Sequence, residues 1–187
     1  MGPEVPVLGS LGFPETGIGI YPGLGGTQRS QRRCGTALAR YLILTGDSVN
    51  AEAAARMGLV DEVVAPDRID ARIRELHAAG APGKTTKKLD QKLAALESFF
   101  ADASIEALLA GEAQSENPAV TKVAGRVRHK APIASKLADE MINHGAEHGM
   151  EAGLALELEK LETIFKTADA LEGLSSLGRK RPEFQGA

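Results

Sequence analysis

The chain has 187 residues, 43% of them hydrophobic, which is enough apolar material for one packed domain. A net charge of -3 provides no basic field for nucleic acid or anionic lipid, so any anionic ligand must be held by local groups. The single cysteine, Cys34, excludes an internal disulfide, and neither a secretory leader nor an apolar run of the roughly 20 residues needed to span a bilayer is visible; a soluble protein in a reducing, cytoplasmic setting is expected. Trp is absent, and Gly and Pro crowd residues 1–35 before a long helical text. Such a lead-in normally packs on strands, so either the start is truncated or the β layer is small.

Residues 5–13 carry short apolar pieces (Val5, Val7, Leu8, Leu11, Phe13) broken by glycines, and one or two short strands are expected. Residues 16–26, with Gly17, Gly19, Pro22, Gly23, Gly25 and Gly26, read as a wrapped loop. Residues 27–45 turn helical, interrupted at Cys34-Gly35. Asn50 is a good N-cap and Gly58 a good C-terminal cap for a short helix between them. Residues 59–64 read as a strand, and Asp67 opens a helix carrying Ile69, Ile73 and Leu76 at helical spacing. Residues 81–88 mix Pro, Gly, Thr and Lys without apolar period and read as a hinge or linker, dividing the chain into 1–80 and 89–187. Helices are expected over 89–100, 104–110, 118–130, 132–144 and 150–166, with Pro118 and Pro132 in first turns. Met150, Leu154, Leu158, Leu161 and Phe165 make the clearest stripe, expected to be core or subunit interface.

The chemistry concentrates in Phe13-Pro-Glu-Thr-Gly-Ile-Gly-Ile-Tyr-Pro-Gly-Leu-Gly-Gly-Thr-Gln-Arg29. Glu15 lies between apolar residues and a loop whose amides carry no side chains over them. Burial there raises a carboxyl pKa toward the range of an acid or base near neutrality. The plainer alternative is a carboxylate that caps a turn or faces solvent.

This stretch closely resembles the crotonase signature, a Pro-Glu pair followed by a glycine-rich turn ending in Pro22-Gly-Leu-Gly-Gly-Thr-Gln-Arg29. Leu44-Thr-Gly46 with Ala51-Glu-Ala-Ala-Ala-Arg-Met-Gly-Leu-Val-Asp-Glu-Val-Val64 resembles the family's next segment. Glu172-Gly-Leu-Ser-Ser176 with Lys180-Arg-Pro-Glu-Phe184 resembles its tail. The resemblance implies an α/β fold: a partial crotonase-like ββα spiral (1–80) with a predominantly helical C-terminal region (89–187) serving oligomerisation as a trimer or hexamer. It implies an enoyl-CoA hydratase acting on acyl-CoA thioesters in fatty-acid degradation. Coenzyme A is then part of the substrate, and no separate cofactor or metal is needed. Glu15 takes the place of the glutamate that protonates the α-carbon. Gly23 takes that of the residue whose amide helps to position the water. Lys180, beside Arg179 and Arg181, takes that of the basic contact to the CoA phosphates; a solvated basic tail is the alternative. The family's oxyanion amides and second glutamate come from before the matched residues, so the chain alone is expected to be inactive.

The tail also resembles proteins in which a hydroxyacyl-CoA dehydrogenase accompanies a hydratase module. Phe99-Phe-Ala-Asp-Ala-Ser-Ile-Glu-Ala-Leu-Leu109 resembles an insertion of 3-hydroxyisobutyryl-CoA hydrolases, which keeps hydrolysis open as an alternative, and a non-catalytic assembly module is a third. Three sharper patterns are set aside. His144-Gly-Ala-Glu-His148 has a zinc-like order but a helix-weakening Gly145 and no third ligand. The glycine turn has Pro22 where a dinucleotide fingerprint needs its third glycine and lacks the lysine of a phosphate loop. Cys34 has no base beside it and reads as core.

Overall fold

The computed structural model describes residues 9–80 and 86–187. The β layer within them is one antiparallel pair, β1 (Ser10–Gly12) and β2 (Ser48–Asn50), registered Ser10 with Asn50, Leu11 with Val49 and Gly12 with Ser48. Residues 5–8 of the expected strands lie outside the described residues. Gly12 is required for the pairing: a Cβ there would meet Ser48 Oγ at 2.7 Å and the Asp47 carbonyl at 2.8 Å.

Helices do the rest. α1 (Gly26–Cys34) and α2 (Thr36–Thr45) are separated by Gly35 at φ 85°, as the sequence break implies. α3 (Ala51–Met57) is capped by the Asn50 side chain, which accepts from Ala53 N at 2.8 Å, and ends on Gly58 in the left-handed region. α4 (Ile69–Ala79) follows a 3-10 turn over Pro66–Arg68 and buries none of its residues. Then come α5 (Gln91–Asp102), α6 (Ile105–Ala110), α7 (Pro118–Ala124), α8 (Pro132–His148), α9 (Met150–Glu159), α10 (Leu161–Phe165) and α11 (Ala168–Ser176).

Four expectations change. Residues 59–64 form no strand; among the described residues no strand pairs with them, and Leu59 and Val60 pack against the core as irregular chain instead. The expected loop over 16–26 begins inside a 3-10 helix, Glu15–Ile18. The helix expected over 118–130 stops at Gly125, and a 3-10 turn at Val127–His129 follows. The helix expected over 150–166 is two, broken at Lys160. Of the expected linker, residues 81–85 lie outside the described residues. The remainder is irregular, tied by Lys88 N donating to the Arg56 carbonyl and Lys87 Nζ to Glu97 at 2.5 Å.

α2 is the hub. It packs on α1, α5 and α8, and residues 38–45 are all buried. Leu38, Leu42, Ile43 and Leu44 meet Phe100, Leu96, Met141 and Ile142 in one core, and Cys34 is part of it. Burial pushes the Cys34 thiol up to about 12, so it is an inert core residue. A buried ion pair crosses this core: Arg40 Nε donates to Asp139 Oδ1 at 2.6 Å, and its terminal nitrogens reach the Phe100 and Ala103 carbonyls. Among the described residues no helix is long and apolar enough to cross a membrane.

Candidate functional site

Pro14 fixes the entry to the 3-10 helix, and Glu15 is its first residue. Three neighbours lock this turn. Thr16 Oγ1 donates to the Ile43 carbonyl on α2 at 2.9 Å. Ala131 N, just before α8, donates to the Thr16 carbonyl at 3.0 Å. α11 lies flush against the turn: a Cβ on Gly173 would run into the Ile18 carbonyl, and one on Gly19, whose φ is 86°, into the Asp169 carbonyl. A short, well-braced helix therefore carries the acidic group.

Glu15 is half-buried, and its Oε2 is sealed from solvent with no hydrogen-bond partner among the described residues. Burial raises its carboxyl above the ordinary value, partly opposed by a bond from its own backbone amide. A carboxyl held this way favours its protonated form and can donate a proton.

The signature also borders a cleft of about 640 Å³ lined by Leu11, Phe13, Gly23, Leu24, Arg29 and Leu59 among others, with a mainly apolar wall. Gly23 thus lies on its surface, exposed, and its N–H meets no acceptor among the described residues. Glu15 does not line the cleft; Phe13, two residues earlier, does. The turn after Gly23 is unusual. Leu24 has φ 54°, the one non-glycine with positive φ among the described residues, and its side chain is 98% exposed. Gly25 follows at φ 77°.

The inner side of this turn is gripped by a residue that sequence reasoning missed. Glu157 on α9, 5% exposed, accepts from Gly25 N at 2.7 Å with Oε2 and from Thr27 Oγ1 at 2.5 Å with Oε1. Its backbone carbonyl accepts from the Tyr21 hydroxyl at 2.5 Å. Gln28 Nε2 in turn donates to Thr27 Oγ1 at 2.9 Å and to the Met141 carbonyl at 2.8 Å. Thr27 and Gln28 of the signature therefore point inward, away from the cleft. Glu157 sits among leucines in an apolar helix, so nothing in its local sequence marks it.

Lys180 is exposed and paired with Glu172 at 2.9 Å, which raises the lysine and lowers the glutamate. The adjacent Arg181 turns elsewhere, into a groove of about 440 Å³ lined also by Arg128, His129, Lys130 and Phe184. His129 is pushed below its ordinary value by burial and by the positive charges of Arg181, Arg128 and Lys130. Lys130 is pushed down chiefly by burial. This concentration of cations was not anticipated from the sequence, because residues 128–130 and 181 are brought together only by the tail folding back: Asp169 accepts from Gln185 N at 2.7 Å and Gly186 N at 2.9 Å. The rings of His144 and His148 stack on one another, centroids 4.4 Å apart, on the last turns of α8.

The chain is 30% identical over 171 residues to crotonyl-CoA hydratase of Syntrophomonas wolfei, covering 91% of this chain and 48% of that protein. It is 34% identical over 164 residues to the fatty acid oxidation complex subunit alpha of Shewanella amazonensis, covering 86% and 21%. In three dimensions it superposes on an enoyl-CoA hydratase from Rhodobacter sphaeroides with TM-score 0.70 at 22% identity, covering 95% of this chain and 55% of that one. A carnitinyl-CoA dehydratase from Mycobacterium thermoresistibile gives 0.69 at 24% identity, covering 94% and 54%. The fold is thus a partial crotonase fold, and the chain spans about half the length of the relatives named first. The family model of enoyl-CoA hydratase/isomerase matches residues 9–185, and the chain belongs to that family.

Proposed function

We propose that this protein works as an enoyl-CoA hydratase, a lyase that adds water across the 2,3 double bond of an enoyl-CoA thioester. The observation that carries the proposal is the Glu15 Oε2 sealed from solvent without a partner, with its carboxyl raised by burial. Burial makes such a group hold its proton more tightly than an exposed carboxyl does, and it can release that proton to carbon. Glu15 gives its proton to the α-carbon. The free N–H of Gly23 offers a hydrogen bond to the attacking water, whose oxygen forms the new bond at the β-carbon. By family resemblance the water's proton passes to a second glutamate, and two backbone amides hold the thioester oxygen. The resemblance assigns those groups to the half of the relatives that these residues do not match.

Two further parts of the proposal concern partners. Lys180, freed from Glu172, meets a CoA phosphate, and the cationic groove at Arg181 lies on the same tail. The exposed Leu158, Leu161 and Phe165 are the contact for further copies of this chain, in a trimer or hexamer, and the setting is the cytoplasm. Hydration agrees with the names of the relatives matched, crotonyl-CoA hydratase among them.

Because the matched residues span about half of those relatives, binding is the first test. Crotonyl-CoA titrated into the labelled chain is expected to move the Gly23 amide resonance, and Glu15→Gln is expected to leave that binding in place. With the complementary half of a crotonase supplied in trans, the enoyl chromophore should disappear without release of free CoA thiol, and Glu15→Gln should slow this at least about 100-fold. Thiol release would replace hydration with thioester hydrolysis. A chain that self-associates yet leaves the Gly23 resonance unmoved would be an assembly module.

A further inference from the structure

We propose that Glu157 is a positioning residue, which fixes the turn at residues 23–26 so that the Gly23 amide faces the cleft. This rests on the reading of Gly23 given above. The turn needs holding. Leu24 sits in the left-handed region, a conformation that bulky L-residues avoid, and its side chain is 98% exposed, so no burial offsets the strain. Among the described residues Gly23 itself contributes no N–H bond and only one carbonyl bond, from Gly26 N at 2.9 Å. On the outer side, Arg29 reaches the Leu24 carbonyl from an exposed position. On the inner side, Glu157 binds at three points: Tyr21 before the turn, Gly25 within it and Thr27 after it.

The chemistry of the clamp is directional. The Gln28 amide donates to the Thr27 hydroxyl, whose one proton is thereby committed to Glu157 Oε1, and the Gly25 amide supplies Oε2. A carboxylate is the side chain that takes two donors at once at this spacing. Glu157 forms no ion pair among the described residues, and burying a carboxylate without a cation is costly. A leucine would pack the same face of α9 at lower cost but would leave Gly25 N and Thr27 Oγ1 without acceptors. Gly153, one turn earlier on α9, together with Gly145 on α8, leaves room for the Gln28 amide; a Cβ at either place would collide with it. The cleft-facing turn is thus registered on α9 through the Glu157 hydrogen bonds, with the Leu154 side chain packed close to Gly25 beside them.

Amide exchange and crotonyl-CoA titration on the same labelled chain test this. In the unaltered chain the Gly25 amide is expected downfield and protected roughly 100-fold over that of Gly23. Glu157→Leu should abolish that protection, move the Gly23 and Leu24 resonances and weaken crotonyl-CoA binding about tenfold, while resonances in α5 stay in place. Glu157→Gln, which keeps an acceptor, should restore Gly25 protection and bring affinity back to within about threefold. The proposal is overturned if Gly25 protection survives Glu157→Leu, or if affinity is unchanged once protection is lost. If the unaltered chain ignores crotonyl-CoA, the hydratase reading fails alone; Gly23 and Leu24 resonances that move with Glu157→Leu then support the clamp, and unmoved ones overturn it. Should Glu157→Leu fail to fold, Thr27→Val removes one of the two donors and is judged by the same two resonances.

Discussion

α2 and the α9–α11 segment are both apolar helical text, yet they use their side chains in opposite ways. Along α2 the large residues Leu38, Leu42, Ile43 and Leu44 are completely buried. Along α9–α11 the buried positions are Gly153, Glu157, Ile164, Asp169, Ala170, Gly173 and Ser176, mostly small or polar, while Leu158, Leu171 and Leu177 are 64–72% exposed. The first region is stabilised by apolar volume. The second is positioned by close backbone approach and by hydrogen bonds, which set the Glu15 helix through Gly173 and the glycine turn through Glu157. Stability is thus concentrated in one region and the geometry of the candidate site in the other.

The most damaging single change should fall in the first region. Arg40→Ala leaves Asp139, 8% exposed, without its cation and frees the Phe100 and Ala103 carbonyls, a loss of about 3–5 kcal/mol in urea unfolding. A loss below about 1 kcal/mol would mean that the pair is solvated in solution and the core looser than described. Leu42→Ala removes a side chain with no exposure and should cost about 3 kcal/mol.

Glu15 lies where the two regions meet, and the sign of its effect is reversed. Its raised carboxyl means that the fold prefers the neutral form. That preference contributes in full below the ordinary value of 4.5 and is lost as pH rises through the raised one. Glu15→Gln removes the loss. The variant should be more stable than the parent at neutral pH by about 1 kcal/mol, and the two should converge under acid. A constant difference across pH would show that Oε2 reaches water, and the acid assigned to the site would go with it.

The contrast also explains what could be read beforehand. Caps were legible because they are local: Asn50 and Gly58 each act within one turn of chain. The family was legible in the Pro22–Arg29 signature, and the burial of Glu15 and of Cys34 in their local sequence. β2 was not, since three residues with one apolar position, Val49, carry no period and depend on β1 for their bonds. The stripe Met150, Leu154, Leu158, Leu161, Phe165 is expected to be core or subunit interface, and the chain's own core takes the neighbouring face instead. The buried face, Gly153, Glu157 and Ile164, lies one residue earlier, roughly 100° around the helix. Periodicity finds apolar faces; here partners distant in sequence decided the inward face, the Gln28 amide requiring a glycine at 153 and the Gly25 and Thr27 donors a carboxylate at 157.

The smallest effect on folding should come from that outward face, and it bears on assembly. Leu171 is 72% exposed on α11, so Leu171→Ser removes little buried surface and should change the stability of the monomeric chain by less than about 0.5 kcal/mol, against about 3 for Leu42→Ala. If Leu158, Leu161, Phe165 and Leu171 meet further copies, the same substitution lowers the sedimentation mass at concentrations where the parent is oligomeric, because an apolar residue central to an interface is desolvated only when the copies join. A large loss of stability in the monomer would instead mean that α11 folds over its own leucines, which would dissolve the contrast between the two regions.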